Sequence, residues 1–136
     1  MADTVSKSKT NGKTILVVED SPTQALHVQA LLQQHGLRVM CAGDGRAGVR
    51  IARQSRPDLI LLDLQMPDMN GFQVYQELKK SGDTAAIPVI LFTCRDDPEA
   101  VVMGIESGIT DYIPKDAFAD AVLIETLRQM GLIAKR

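Results

Sequence analysis

Four apolar runs in this 136-residue sequence each end in groups capable of polar chemistry. Ile15-Leu16-Val17-Val18 runs into Glu19-Asp20, Leu59-Ile60-Leu61-Leu62 into Asp63, Val89-Ile90-Leu91-Phe92 into Thr93, and Tyr112-Ile113-Pro114 into Lys115. Three carboxylates gathered in one corner repel one another unless protons or a cation neutralise them. A hard divalent ion such as Mg2+ suits that oxygen-only donor set, its shell completed by a backbone carbonyl after Asp63, a substrate phosphate and water. A lysine ammonium then supplies a point charge for a phosphoryl group, and a threonine hydroxyl donates to another of its oxygens. Together these groups can stabilise a phosphoryl group moving in line onto Asp63, with the carboxylate as nucleophile.

Such a corner forms when the four runs are parallel strands of one open sheet, because the carboxyl ends then share the edge where ligands bind. The rest of the chain fits that requirement. From Lys13 onward short apolar runs alternate with stretches of helical period, the pattern of repeated βαβ units around a covered parallel sheet. Strands are predicted at about 14–19, 37–42, 58–63, 88–93 and 110–113, and helices at about 22–35, 45–55, 70–81, 97–107 and 117–130. Ser21 is placed to cap the first helix, Pro22 suits its first position, and Gln24 is expected to complete a capping box. Ala25, Val28, Leu31 and Leu32 form the buried stripe of that helix, and Gly36 ends it. Leu123, Ile124, Leu127 and Met130 do the same for the last helix, which stops near Gly131.

Composition narrows the function classes. A chain of this length fits one domain, placed at 13–136 after a flexible, polar leader at 1–12 that has no apolar periodicity. With 45% hydrophobic and 24% charged residues and no long apolar run, neither a membrane partner nor a secretory signal is expected, and the protein is assigned to the cytoplasm. A net charge of −2 with interspersed signs offers no concentrated basic face, so no nucleic-acid partner is expected. Cys41 and Cys94 stand far apart without zinc-type spacing and are read as buried free thiols.

Each candidate residue has a plain alternative. Glu19-Asp20 and Asp63 can be ordinary turn residues, Thr93 a half-buried strand residue and Lys115 a solvated loop lysine; their joint placement, one group per strand end, is what favours a site. Gly43-Asp44-Gly45-Arg46-Ala47-Gly48 also matches G-x-G-x-x-G, with an acid about 20 residues on. Asp44, however, puts a carboxylate in a loop that would approach a pyrophosphate, a further strand precedes the motif, and no length remains for a substrate domain. The glycines are therefore read as loop and helix-start residues.

The acidic pair Glu19-Asp20, the segment Leu62-Asp63-Leu64-Gln65-Met66-Pro67-Asp68-Met69-Asn70-Gly71, the Thr93 hydroxyl, and Tyr112 three residues before Lys115 are similar to a response-regulator receiver domain of two-component signalling. The resemblance extends from Lys13 to Arg136. It implies a flavodoxin-like, doubly wound α/β fold with a five-stranded parallel sheet in the order 2-1-3-4-5 and five helices. It further implies that Asp63 accepts a phosphoryl group from a histidine kinase or histidine phosphotransfer protein, as in a phosphorelay. Glu19, Asp20, Asp63 and the Gln65 backbone carbonyl would then hold Mg2+, while Thr93 and Lys115 grip the phosphoryl group.

The added charge would draw the Thr93 hydroxyl inward and let Tyr112 rotate into the vacated space. That rotation would repack the face made by the helix at 97–107, the strand at 110–113 and the helix at 117–130, where an output partner docks. On this reading the chain is a stand-alone phospho-acceptor rather than an enzyme, assisting its own Mg2+-dependent phosphotransfer and dephosphorylation. Two alternatives stand beside it: a phosphorylation-independent, receiver-like interaction module, and an aspartyl-phosphate hydrolase. The hydrolases generally place a second acid two residues after the nucleophile, where this chain has Gln65.

Two departures from the family pattern are visible. Receivers usually follow the lysine with a proline in a cis bond, whereas Lys115 precedes Asp116 and the proline is Pro114. A cis bond before a non-proline residue costs ~2.5–4 kcal/mol, so this loop must either be trans or absorb that strain. Cys94 follows Thr93 where similar receivers prefer alanine or glycine, and is expected to hinder access to the site.

Overall fold

A computed structural model describes residues 12–64, 66–93, 106 and 111–134. The strands are β1 (Thr14–Val18), β2 (Arg38–Ala42), β3 (Leu59–Leu62), β4 (Val89–Thr93) and β5 (Asp111–Pro114). The helices among the described residues are α1 (Pro22–Gln34), α2 (Gly45–Ser55), α3 (Gly71–Lys80) and α4 (Ala119–Gln129). Apart from Glu106, the helix expected at 97–107 lies outside the described residues, as do residues 1–11 of the expected leader.

All four strand pairings are parallel, and the sheet has the expected order β2-β1-β3-β4-β5. Burial explains why the central strands read as unbroken apolar runs: β3 and β4 are buried throughout, and β1 at every position but its first, because helices cover both faces. Side chains alternate between two cores. Ile15, Val17, Leu59, Leu61, Ile90, Phe92 and Ile113 face α1 and α4, whereas Leu16, Val18, Ile60, Leu62, Val89 and Leu91 face α2 and α3. Fully burying one such aliphatic side chain stabilises the fold by about 1.5–3 kcal/mol.

The edge strand β2 corrects one expectation. Cys41 is exposed rather than buried, since β2 pairs only with β1 and its burial is broken along the strand. Partial desolvation still pushes the Cys41 thiol up from its ordinary value of 9.0. Cys94 lies outside the described residues.

Local chemistry sets the helix starts. Ser21 caps α1 by accepting from the Gln24 amide at 3.3 Å, and Pro22 occupies the first turn. The capping box expected from Gln24 does not close, because the Gln24 side chain turns instead to Lys115, and the Ser21 amide donates to Glu19 Oε2 at 3.3 Å. A complete box does form at α3, where the Asn70 side chain accepts from the Gln73 amide and Gln73 returns the bond to the Asn70 amide. Gly36, at φ 83°, adopts the left-handed turn that ends α1.

The G-x-G-x-x-G segment serves packing. A Cβ on Gly48 would stand 2.9 Å from Val18, and one on Gly45 would stand 2.8 Å from both Met69 and Val74. The α2 amides that a pyrophosphate would need are already bonded, Ala47 to Asp44 and Gly45 and Arg46 to the Asp68 carboxylate.

Candidate functional site

Register brings the strand-end groups together. Val18 of β1 pairs with Leu62 of β3, so Glu19 and Asp63 leave the sheet side by side. Backbone bonds fix both exits: the Asp63 amide donates to Val18 O at 3.0 Å, and the Glu19 amide to Ala42 O at 2.9 Å. Across the sheet Thr93 pairs with Pro114, and the Lys115 amide donates to Thr93 O at 2.9 Å, which starts the lysine at the same edge.

Glu19 and Asp63 are only 6% and 7% exposed, whereas Asp20 is exposed. One carboxylate oxygen from each of the three lies within 4.8 Å of the others. Burial pushes the Glu19 carboxyl above its ordinary value of 4.5; the charge of Asp63 acts in the same direction, and Lys115 and the Ser21 amide pull against it. Crowded, partly desolvated oxygen donors of this kind fit a hard divalent cation better than a soft one.

Lys115 anchors the other side. Its ammonium is ion-paired with Glu19 Oε1, donates to Gln24 Oε1 at 2.6 Å, and lies 3.5 Å from Asp63 Oδ2. The Phe92 ring lies beside it, with its centroid 5.6 Å from Nζ. No peptide bond among the described residues is cis, so the Lys115–Asp116 bond is trans; the Asp116 amide donates to Pro114 O at 3.0 Å. The lysine therefore reaches the acids without a proline following it.

Thr93 is fully buried. By strand alternation it lies on the sheet face of Leu91, the face against which half-buried Tyr112 also packs. Threonine and tyrosine thus share one layer, with Leu91 paired to Tyr112 in register. Gln65 and Cys94, the remaining residues singled out around the site, lie outside the described residues.

Two contributors carry little sequence signal. Gly71 packs against the backbone of the Asp63 turn: a Cβ there would stand 2.7 Å from Asp63 O, and the Gly71 amide donates to Leu64 O at 2.9 Å. Gln24 offered only its helix-cap spacing. A cleft of about 410 Å³ opens beside Lys115 and is lined by Gln24, His27, Phe92, Ala119 and Asp120. A larger groove of about 690 Å³ between α2 and α3 contains none of the clustered acids.

Comparison with known proteins agrees with the fold. Residues 15–128 match the family described as response regulator receiver domain. The chain is 42% identical over 109 residues to protein PilH of Pseudomonas aeruginosa, a match covering 80% of this chain and 90% of that protein. It is similar in structure to the chemotaxis protein CheY4 of Vibrio cholerae (TM-score 0.79, 30% identity, 86% of this chain and 97% of that one). It is also similar to the receiver domain of sensor histidine kinase PA1611 of Pseudomonas aeruginosa, which has a magnesium ion coordinated in its active-site cleft (TM-score 0.78, 30% identity, 87% of this chain and 96% of that one). Among longer relatives described as transcriptional regulators, the chain spans about half of their length.

Proposed function

Since the chain belongs to the response regulator receiver domain family, we propose that it works as a phosphorylation-controlled switch whose acceptor is Asp63. The observation that carries this reading is the meeting of Asp63 with Glu19, Asp20 and the Lys115 ammonium at the carboxyl edge of the sheet. In the proposed step the Asp63 carboxylate attacks the phosphorus of a phosphohistidine on a histidine kinase or phosphotransfer protein. The Asp63 O–P bond forms as the N–P bond breaks, and the imidazole leaves with the electron pair.

Lys115 balances charge on the phosphoryl oxygens, and Thr93 donates its hydroxyl to one of them. Glu19, Asp20, Asp63 and the Gln65 carbonyl would hold Mg2+, which when bound neutralises charge on the transferred group. The cleft beside Lys115 offers the donor an approach over α1 and α4. Output follows from the shared Thr93 and Tyr112 layer: a Thr93 hydroxyl drawn inward leaves space that the half-buried Tyr112 ring fills, changing the β5 surface presented to a partner.

Incubation with acetyl phosphate and Mg2+, followed by intact mass measurement, tests the assignment. Wild type should gain one phosphoryl group and Asp63→Asn none. If neither gains mass with acetyl phosphate or with a phosphorylated phosphotransfer protein, the chain is instead a phosphorylation-independent interaction module.

A further inference from the structure

An ammonium has three N–H donors and no acceptor, so the direction of each can be accounted for. At Lys115 one is taken by Glu19 Oε1 and one by Gln24 Oε1 at 2.6 Å, which leaves the third facing Asp63 Oδ2 at 3.5 Å. That last distance is too long for a good hydrogen bond. A phosphoryl group on Asp63 would carry its oxygens beyond Oδ and close the gap.

Gln24 makes this bond in place of another. It stands three residues after the α1 cap, where a glutamine ordinarily folds back onto the cap amide; here the Ser21 amide is bonded to Glu19, and the Gln24 side chain crosses to the loop after β5. That loop has a trans Lys115–Asp116 bond and no proline after the lysine. The Phe92 ring fences the ammonium on a further side.

We propose that Gln24 is a positioning residue for Lys115: with Glu19 it occupies two of the ammonium donors and aims the third at the phosphoryl oxygens on Asp63. The inference rests on the reading of Asp63 as acceptor. Its effect is on rate, since a lysine free to turn toward water samples the productive geometry less often. Gln24 is exposed, so water competes for its bond and the effect falls to that of an ordinary hydrogen bond rather than one to a buried charge, about fivefold in rate.

The test compares wild type with Gln24→Met, which keeps length and loses the strong acceptor, and Gln24→Glu, which restores one. With acetyl phosphate and saturating Mg2+, the Asp63 O–P bond forms as the O–P bond of the donor breaks and acetate leaves. Gln24→Met should lower the maximal rate about fivefold with the half-saturating donor concentration unchanged, and Gln24→Glu should recover most of it. In a Lys115→Ala background Gln24→Met should change nothing further, because a residue acting only through Lys115 has nothing left to position. In metal-free, isotopically labelled protein the Lys115 ammonium resonance should sharpen with Gln24 or Glu present and broaden in Gln24→Met.

Gln24→Met at the wild-type rate or faster, or an equal loss in the Lys115→Ala background, overturns the inference alone. A wild type that takes up no phosphoryl group overturns the reading of Asp63 and this inference with it.

Discussion

Replacing Gly71 with alanine puts a Cβ 2.7 Å from the Asp63 carbonyl oxygen and 3.0 Å from Leu64 Cα. Both are backbone atoms, so no side chain can swing aside. Ordinary contact begins at 3.4 Å, and opening 2.7 to 3.4 Å parts the start of α3 from the Asp63 turn by about 0.7 Å. Overpacking of this kind costs about 1–3 kcal/mol, and the alanine returns about 0.4–1 kcal/mol by restricting the unfolded chain. A net loss of about 1–2 kcal/mol in a chain of this length lowers Tm by roughly 3–7 °C.

The same displacement moves the backbone that carries the acceptor carboxylate. A shift near 1 Å can cost up to about a hundredfold in rate, so a tenfold slower phosphorylation by acetyl phosphate is expected at about 0.7 Å. Thermal unfolding followed by circular dichroism, with phosphorylation measured by intact mass, checks both effects. Gly82→Ala is the control: nothing lies within 4 Å of its added Cβ, and its Tm should hold or rise slightly. A Gly71→Ala protein that melts with wild type and is phosphorylated at the wild-type rate refutes the proposed packing constraint on Asp63.

Mg2+ at a hundred times its dissociation constant should stabilise wild type by about 2.7 kcal/mol, a Tm gain of roughly 9 °C, because the ion neutralises carboxylates held together only in the folded chain. Asp20→Asn should lose most of that gain while leaving the metal-free melt nearly unchanged, since Asp20 is exposed. The raised Glu19 carboxyl makes protons compete with the ion, so isothermal titration should show Mg2+ affinity falling as pH is lowered through the range above 4.5; a pH-independent affinity would exclude Glu19 as a ligand. Backbone bonds, first that from Gly45, hold Asp68 below its ordinary value of 3.8, so its contribution is present above 3.8 and lost as pH falls through its lower folded value. Asp68→Ala should therefore melt below wild type at neutral pH, and the two curves should converge in strong acid.

Much of the fold was legible because its signals are local. The apolar runs of β1, β3 and β4 show a sheet covered on both faces, and the ends of those runs name the chemistry at its edge. The α1 and α4 stripes and the turn at Gly36 follow from helical period and left-handed backbone. Candidate residues Glu19, Asp20, Asp63, Thr93 and Lys115 could be picked from strand ends alone, because parallel strands place their carboxyl ends on one edge whatever their lengths, whereas Tyr112 was picked only through the family resemblance.

Tertiary structure decided what depends on competition between partners distant in the chain. Gln24 had a local acceptor role at the α1 cap, but a lysine 91 positions away offered a charged donor, and charge-assisted bonds prevail over neutral ones. Cys41 reads as buried by its neighbours and is exposed because β2 lies at the sheet edge, a fact of strand order rather than composition. Gly71 looks like any turn glycine until α3 is brought against the Asp63 backbone. Sequence period determines which side of an element is buried and which groups stand at its end; only packing determines which of several polar partners each group meets, since that choice is made by distances the chain does not encode locally.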